Sequence, residues 1–200
     1  MIFKELVMKV KLKEEKILSK TKKEVVEWLA AIIIGVVIVT IVRMFIATNY
    51  EVVGKSMMPT FSDHDKVIVN KLSPINRMDI IIFHGAQNED YVKRVIGIPG
   101  DTIKYENDEL FINNKKVEEP FLETFEAYKN PEENFTEDFE LSEVTGSKTV
   151  PPNRYFVLGD NRMSSLDSRY FHFIEKNEII GEVKVRYWPI SRFTFNFYSE

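Results

Sequence analysis

Three short segments of the 200-residue chain carry residue types that could do chemistry. The first is Gly54-Lys55-Ser56-Met57-Met58-Pro59-Thr60-Phe61, where a serine lies between a glycine that frees the backbone and a proline that fixes it. Such a turn presents a hydroxyl at a set angle, although serine in a Gly/Pro turn is also ordinary turn chemistry. The second is Tyr91-Val92-Lys93-Arg94-Val95-Ile96-Gly97-Ile98-Pro99-Gly100-Asp101. Neighbours on a strand point to opposite faces, so one of the two adjacent cations lies inward or in a cleft, unless this is an edge strand from which both reach solvent. A buried lysine loses stabilisation of its charge, its pKa falls, and the neutral amine is a general base. The third segment, 159–169, is dense in turn formers and hydrogen-bonding side chains and by itself reads as a surface loop with local ion pairs.

Other chemistries find little to work with. The chain has no cysteine, which removes disulfides, thiolate metal sites and a cysteine nucleophile. His64, His84 and His172 are far apart and show no metal-ligand spacing. His64 is eight residues from Ser56, which is no argument for contact, and it reads as a surface histidine. No cofactor, metal or nucleic-acid partner is expected.

The elements that must position these segments emerge from the charge distribution. The net charge of −4 divides into +4 over residues 1–24, zero over 25–47 and −8 over 48–200. Residues 28–42 are uncharged and nearly all apolar. At ~1.5 Å per residue they reach only ~22 Å, but the stretch 25–47 reaches ~34 Å, enough for a ~30 Å hydrocarbon core. Glu27 and Arg43 near its ends can extend to the interface, and Trp28 suits an aromatic belt. A cleaved secretory signal and a buried core helix are the competing readings. The basic head is long, apolar character resumes at Met44-Phe45-Ile46, and there is no polar face, all of which favour a retained single-pass anchor. The eight lysines of 1–24 then form a basic cytoplasmic tail and put 48–200 outside the cytoplasm.

Beyond Ala47 the pattern shifts to short runs rich in Val, Ile, Tyr and Phe. Strands are predicted at 66–71, 79–83, 91–98, 110–113, 155–158 and 182–188, with a hairpin turn at Asn113-Asn114 and one weak helical turn at 176–180. The body is therefore mainly β. Residues 118–143 hold ten acids against Lys129 alone, so an acidic insertion or flap over 118–150 is expected to be solvated.

In this order behind an anchor, the three segments resemble those of type I signal peptidases, membrane serine proteases that remove signal peptides from exported proteins. Ser56-Met57-x-Pro59-Thr60 is similar to the nucleophile motif and Asp65-x-Val67-x-Val69 to the strand after it. Lys93-Arg94 through Gly97-x-Pro99-Gly100-Asp101 resembles the lysine motif, and Gly159-Asp160-Asn161-Arg162 with Ser165-x-Asp167-Ser168-Arg169 resembles the last. The resemblance implies a fold of antiparallel sheets preceded by one transmembrane helix. It implies Ser56 as nucleophile, Lys93 as its general base, and Ser165 orienting the Lys93 amine. Asp167 and Arg169 would pair, and Asp160 and Arg162 would hold the same loop. The Ser56 backbone N–H, with Gly54 beside it, would form the oxyanion region. Gly54 stands where some members carry a serine whose hydroxyl completes that hole. The implied partners are signal-peptide-bearing preproteins, cut after small residues, and the lipid bilayer, with the enzyme a monomer. Two other readings are weighed: a self-cleaving repressor, which lacks a DNA-binding head here, and a membrane-anchored non-catalytic β binding or assembly module.

Overall fold

The long apolar run and the short alternating runs fold as two units, Met1–Phe45 and Ile46–Glu200. The computed structural model describes residues 2–85, 89–122 and 134–197, with side chains from residue 20 onward.

The first unit is a single helix, α1 (Ile2–Phe45). Its Lys20–Phe45 stretch of 26 residues is long and apolar enough to cross a membrane. Thr40, the one polar side chain in 28–42, donates its hydroxyl to the Val36 carbonyl at 2.8 Å, so it is satisfied within the helix. The helix ends at Phe45, short of the expected limit at Ala47, because Ala47 already begins a strand.

In the second unit, β1 (Ala47–Glu51), β2 (Lys66–Asn70), β3 (Ile80–His84) and β4 (Asp90–Gly97) come first. They are followed by β5 (Ile103–Glu106), β6 (Glu109–Ile112), β7 (Lys115–Val117) and β8 (Phe139–Glu140). β9 (Arg154–Leu158), β10 (Ile174–Glu175) and β11 (Ile179–Trp188) complete the described strands. Every pairing is antiparallel. Seven strands form one sheet in the order β1-β2-β11-β3-β4-β9-β10, and four form another in the order β7-β6-β5-β8. The mainly β expectation therefore holds.

β3 and the second half of β4 are buried on both faces, which is why they read as near-continuous apolar runs instead of alternating ones. One core joins the two sheets: Ile96, Phe156 and Leu158 of the larger pack with Ile103, Tyr105 and Leu110 of the smaller. Another lies under the serine turn, where Met57 and Phe61 pack with Val52, Val67, Val69 and Ile82. Asn113 and Asn114 both adopt positive φ, at 54° and 62°, as a two-residue hairpin turn requires.

The acidic segment departs from expectation in part. Residues 123–133 lie outside the described residues; on either side Glu118, Glu137, Asp138, Glu140 and Glu143 are exposed, as expected, but apolar side chains between them are packed. Phe121, Leu122, Phe135, Thr136, Phe139 and Leu141 are buried. Glu140 and Glu143 form the capping box of a short helix, Leu141–Thr145, so two of the ten acids satisfy a helix N-terminus. Glu119 is drawn inward to Arg162 at 2.5 Å. Net charge in a window cannot distinguish Glu119 from the solvated acids around it. β1, β5, β8 and β10 also went unforeseen; two of these are two-residue pairings with almost no local pattern.

Candidate active site

The serine turn is held from below and from the side. Met57 and Phe61 are sunk into the core, and the Phe61 N–H donates to the Met57 carbonyl at 2.8 Å. From the third segment, Asn161 N–H donates to the Ser56 carbonyl at 3.0 Å, and Asn161 Nδ2 donates to the Lys55 carbonyl at 3.1 Å. Among the described residues the Ser56 N–H has no hydrogen-bond partner. Gly54, expected beside that N–H in the oxyanion region, is not itself a free donor. It turns the chain at φ 91°, and its N–H donates to Asp63 Oδ1 at 2.8 Å. A donor already committed to a carboxylate does not serve a developing oxyanion without losing that bond.

Lys93 lies on β4, a strand inside the sheet between β3 and β9. Both adjacent cations are consequently buried: Lys93 is 4% and Arg94 0% exposed. Their faces differ, as strand geometry demands. Lys93 Nζ lies 2.8 Å from Ser56 Oγ and 3.1 Å from the Val92 carbonyl. Burial lowers the Lys93 amine from 10.5 to about 8, against the opposing fields of Asp167 and Asp160. Arg94 makes a two-pronged pair with Asp160, Nε to Oδ1 at 2.8 Å and Nη2 to Oδ2 at 2.7 Å. Asp160 is itself fully buried and also accepts the Thr60 hydroxyl at 2.5 Å. It thus links the serine turn, the lysine strand and the third segment.

The rest of the third segment is held by buried charge. Asp167 accepts Arg169 Nε at 2.9 Å and Nη2 at 2.9 Å, and it accepts the Gly159 N–H at 3.1 Å. Arg162 donates to the Gly159 carbonyl at 3.0 Å, the Tyr105 hydroxyl at 2.7 Å and Glu119 Oε1 at 2.5 Å. This fastens the loop to the smaller sheet. Ser165 does not take the expected position on Lys93. Its Oγ is buried without a partner among the described residues, and it packs against Gly159.

Gly159 must be glycine for lack of space. A methyl there would overlap Ser165 Oγ and come within 2.5 Å of the Ser56 carbonyl oxygen. Gly159→Ala is therefore expected to displace Ser56 and lower kcat by about 10²-fold. Wild-type turnover of the purified variant would contradict that packing.

A cleft of about 230 Å³ opens beside Ser56 and Lys93, with Tyr50, Val52, Ile82, Asp90 and Val92 among its lining residues. His64 lies at the surface against Glu51 at 2.7 Å, not against Ser56. Among the described residues no three His, Asp or Glu side chains gather as a metal site. Arg94 and Glu119 were missed as partners of the site; the only local signal was the strand-face argument for two adjacent cations.

Comparison with known proteins agrees with the geometry. The family described as "Signal peptidase, peptidase S26" matches residues 25–188. Signal peptidase I of Bacillus caldolyticus is 53% identical over 168 residues, covering 82% of this chain and 92% of its own. Signal peptidase IB of Staphylococcus aureus is 41% identical over 187 residues, covering 90% of this chain and 97% of its own. The crystal structure of a signal peptidase I from Enterococcus faecalis V583 superposes with a TM-score of 0.53 at 42% identity, over 55% of this chain and 97% of that one.

Proposed function

The chain belongs to the signal peptidase family, peptidase S26, and on that premise we propose how it works as a type I signal peptidase, a serine endopeptidase that cuts signal peptides from exported preproteins. The observation that carries the reading is the 2.8 Å approach of Lys93 Nζ to Ser56 Oγ in a site where burial depresses the amine. A non-catalytic module has no need of a buried lysine against a serine hydroxyl, and the named relatives lend that alternative no support.

Neutral Lys93 accepts the Ser56 proton as Oγ attacks the scissile carbonyl. The unpaired Ser56 N–H faces the developing oxyanion. Lys93, now an ammonium, returns the proton to the leaving amine, and the C–N bond breaks to give an ester on Ser56. Water, deprotonated by Lys93, then hydrolyses the ester and restores the serine. The apolar walls that Val52, Ile82 and Val92 give the cleft suit an apolar side chain before the cut, and the family's preference there is for small ones. α1 serves as the anchor, its lysine-rich end cytoplasmic. An enzyme tethered in the membrane that carries its substrate's apolar segment gains effective concentration.

The reaction needs the unprotonated amine, so kcat/KM rises with pH through a limb near 8 and then levels, falling about tenfold per unit below it. Initial rates on a precursor peptide from pH 6 to 10 test this; a profile flat across that range would contradict a lysine base.

A further inference from the structure

The family match ends at Trp188, yet the residues after it reach back to the serine turn. Pro189 begins a short 3₁₀ turn, Ile190–Arg192, and Thr194 then pairs with Arg186 through backbone bonds of 2.9 and 3.1 Å. This return places two arginines on one carboxylate. Asp65, 1% exposed, accepts Arg192 Nη2 and lies 3.5 Å from Arg186 Nη1. Arg192 Nη1 also donates to Ser62 Oγ at 2.8 Å, and Arg186 Nη1 donates to the Thr60 carbonyl at 2.5 Å. Beyond them, the Phe197 ring tilts against Phe61 at 5.1 Å, and the Phe197 carbonyl accepts Arg94 Nη2 at 3.4 Å.

Residues 57–65 lie between strands and have no ladder of their own. Their position rests on the Met57 and Phe61 side chains, two backbone bonds of 2.8 Å that tie His64 and Asp65 to Val52, the Asp63 bond of Gly54, the Asp160 bond of Thr60, and this clasp. The nucleophile lies at the start of the same segment, and a hydroxyl displaced by about 1 Å from its base loses up to ~10²-fold in rate. We propose that the carboxy-terminal return, through Arg192 on Asp65 and Ser62, is a positioning device for the reaction: it holds the turn so that Ser56 Oγ stays within reach of Lys93. The proposal rests on the reading of Ser56 and Lys93 given above. Arg192 touches no substrate and acts through the turn.

The test uses the full chain in detergent micelles and a precursor peptide. In Arg192→Ala the Asp65 carboxylate keeps Arg186, so the protein folds. The expected result is a kcat about tenfold below wild type with KM within twofold. The Arg192 side chain is 37% exposed, so its vacated place is open to solvent. Guanidinium chloride at low millimolar concentration, far below denaturing levels, should therefore restore several-fold of the lost rate. Arg192→Lys, which keeps the charge but not the fork, should fall between the two. Unchanged kcat in Arg192→Ala would overturn the proposal. So would a loss that tracks the unfolded fraction by circular dichroism and ignores guanidinium. Wild-type protein that leaves the precursor intact would overturn the functional reading and the clasp together, whereas active wild type with an equally active Arg192→Ala removes only the clasp.

Discussion

Lys93→Met is expected to leave a folded protein whose kcat is lower by about 10³-fold or more. Methionine keeps the length and bulk of the lysine stem and removes the amine that lies 2.8 Å from Ser56 Oγ. The site's remaining contribution would come from the cleft and the Ser56 N–H. Loss of activity here is not bought by loss of structure. An amine held at about 8 in place of 10.5 carries a penalty of about 3 kcal/mol on the charged form. The unfolded chain binds the proton more tightly, so the penalty is fully present below pH 8, and wild-type stability rises with pH between about 8 and 10.5. Lys93→Met escapes the penalty. At pH 7 it should unfold at the same denaturant concentration as wild type or a higher one, and it should lack that part of the alkaline rise. Denaturant melts at pH 7 and pH 10, set beside precursor cleavage, check both halves. A destabilised, inactive Lys93→Met would mean that the lysine is structural.

The second large effect is thermodynamic. Asp160→Ala leaves the Arg94 guanidinium buried with its main counter-charge gone and frees the Thr60 hydroxyl from its acceptor. Breaking a buried pair by removing one partner costs about 3–5 kcal/mol, on the order of 10 °C in Tm for a unit of this size. Replacing both members, Arg94→Met with Asp160→Leu, should recover most of that stability, because neither charge is then buried alone. Activity should stay low in the double variant, since Thr60 no longer ties the serine turn to the third segment. Asp160 also helps hold the Lys93 amine up, so the rate limb of whatever folded Asp160→Ala remains should move to lower pH. Thermal unfolding of the three variants tests this, and an Asp160→Ala as stable as wild type would contradict it.

These two residues show what the sequence makes legible. Ser56 and Lys93 are visible because each sits in a short motif whose local physics is distinctive: a hydroxyl between Gly and Pro, and two cations on one apolar strand. Their meeting across 37 positions is a tertiary fact, anticipated only through resemblance. The pairing of Arg94 with Asp160 spans 66 positions and leaves no local trace. Glu119 was hidden by its neighbours, one acid in a run where charge density suggested solvent, although Arg162 draws it inward. Gly54 and Ser165 show a different limit. Their residue types suit the expected roles, but a hydrogen bond depends on where the group points. The Gly54 N–H is taken by Asp63, and the Ser165 hydroxyl meets no partner among the described residues. The α1 boundary was close because an apolar run has a sharp composition, and the difference at Phe45 reflects competition from β1 for the next residues.

The most direct measurement is of the Lys93 amine itself. Lysine labelled with ¹⁵N at Nζ, assigned by comparison with Lys93→Met, can be titrated by NMR in the Ser56→Ala variant, which cannot turn over substrate. One lysine resonance should titrate near 8, as expected for Lys93, in step with the wild-type rate limb, and should be missing from Lys93→Met. A Lys93 resonance that titrates at the ordinary lysine value of about 10.4, beside an enzyme fully active at pH 8, would contradict a neutral lysine as the base that activates Ser56.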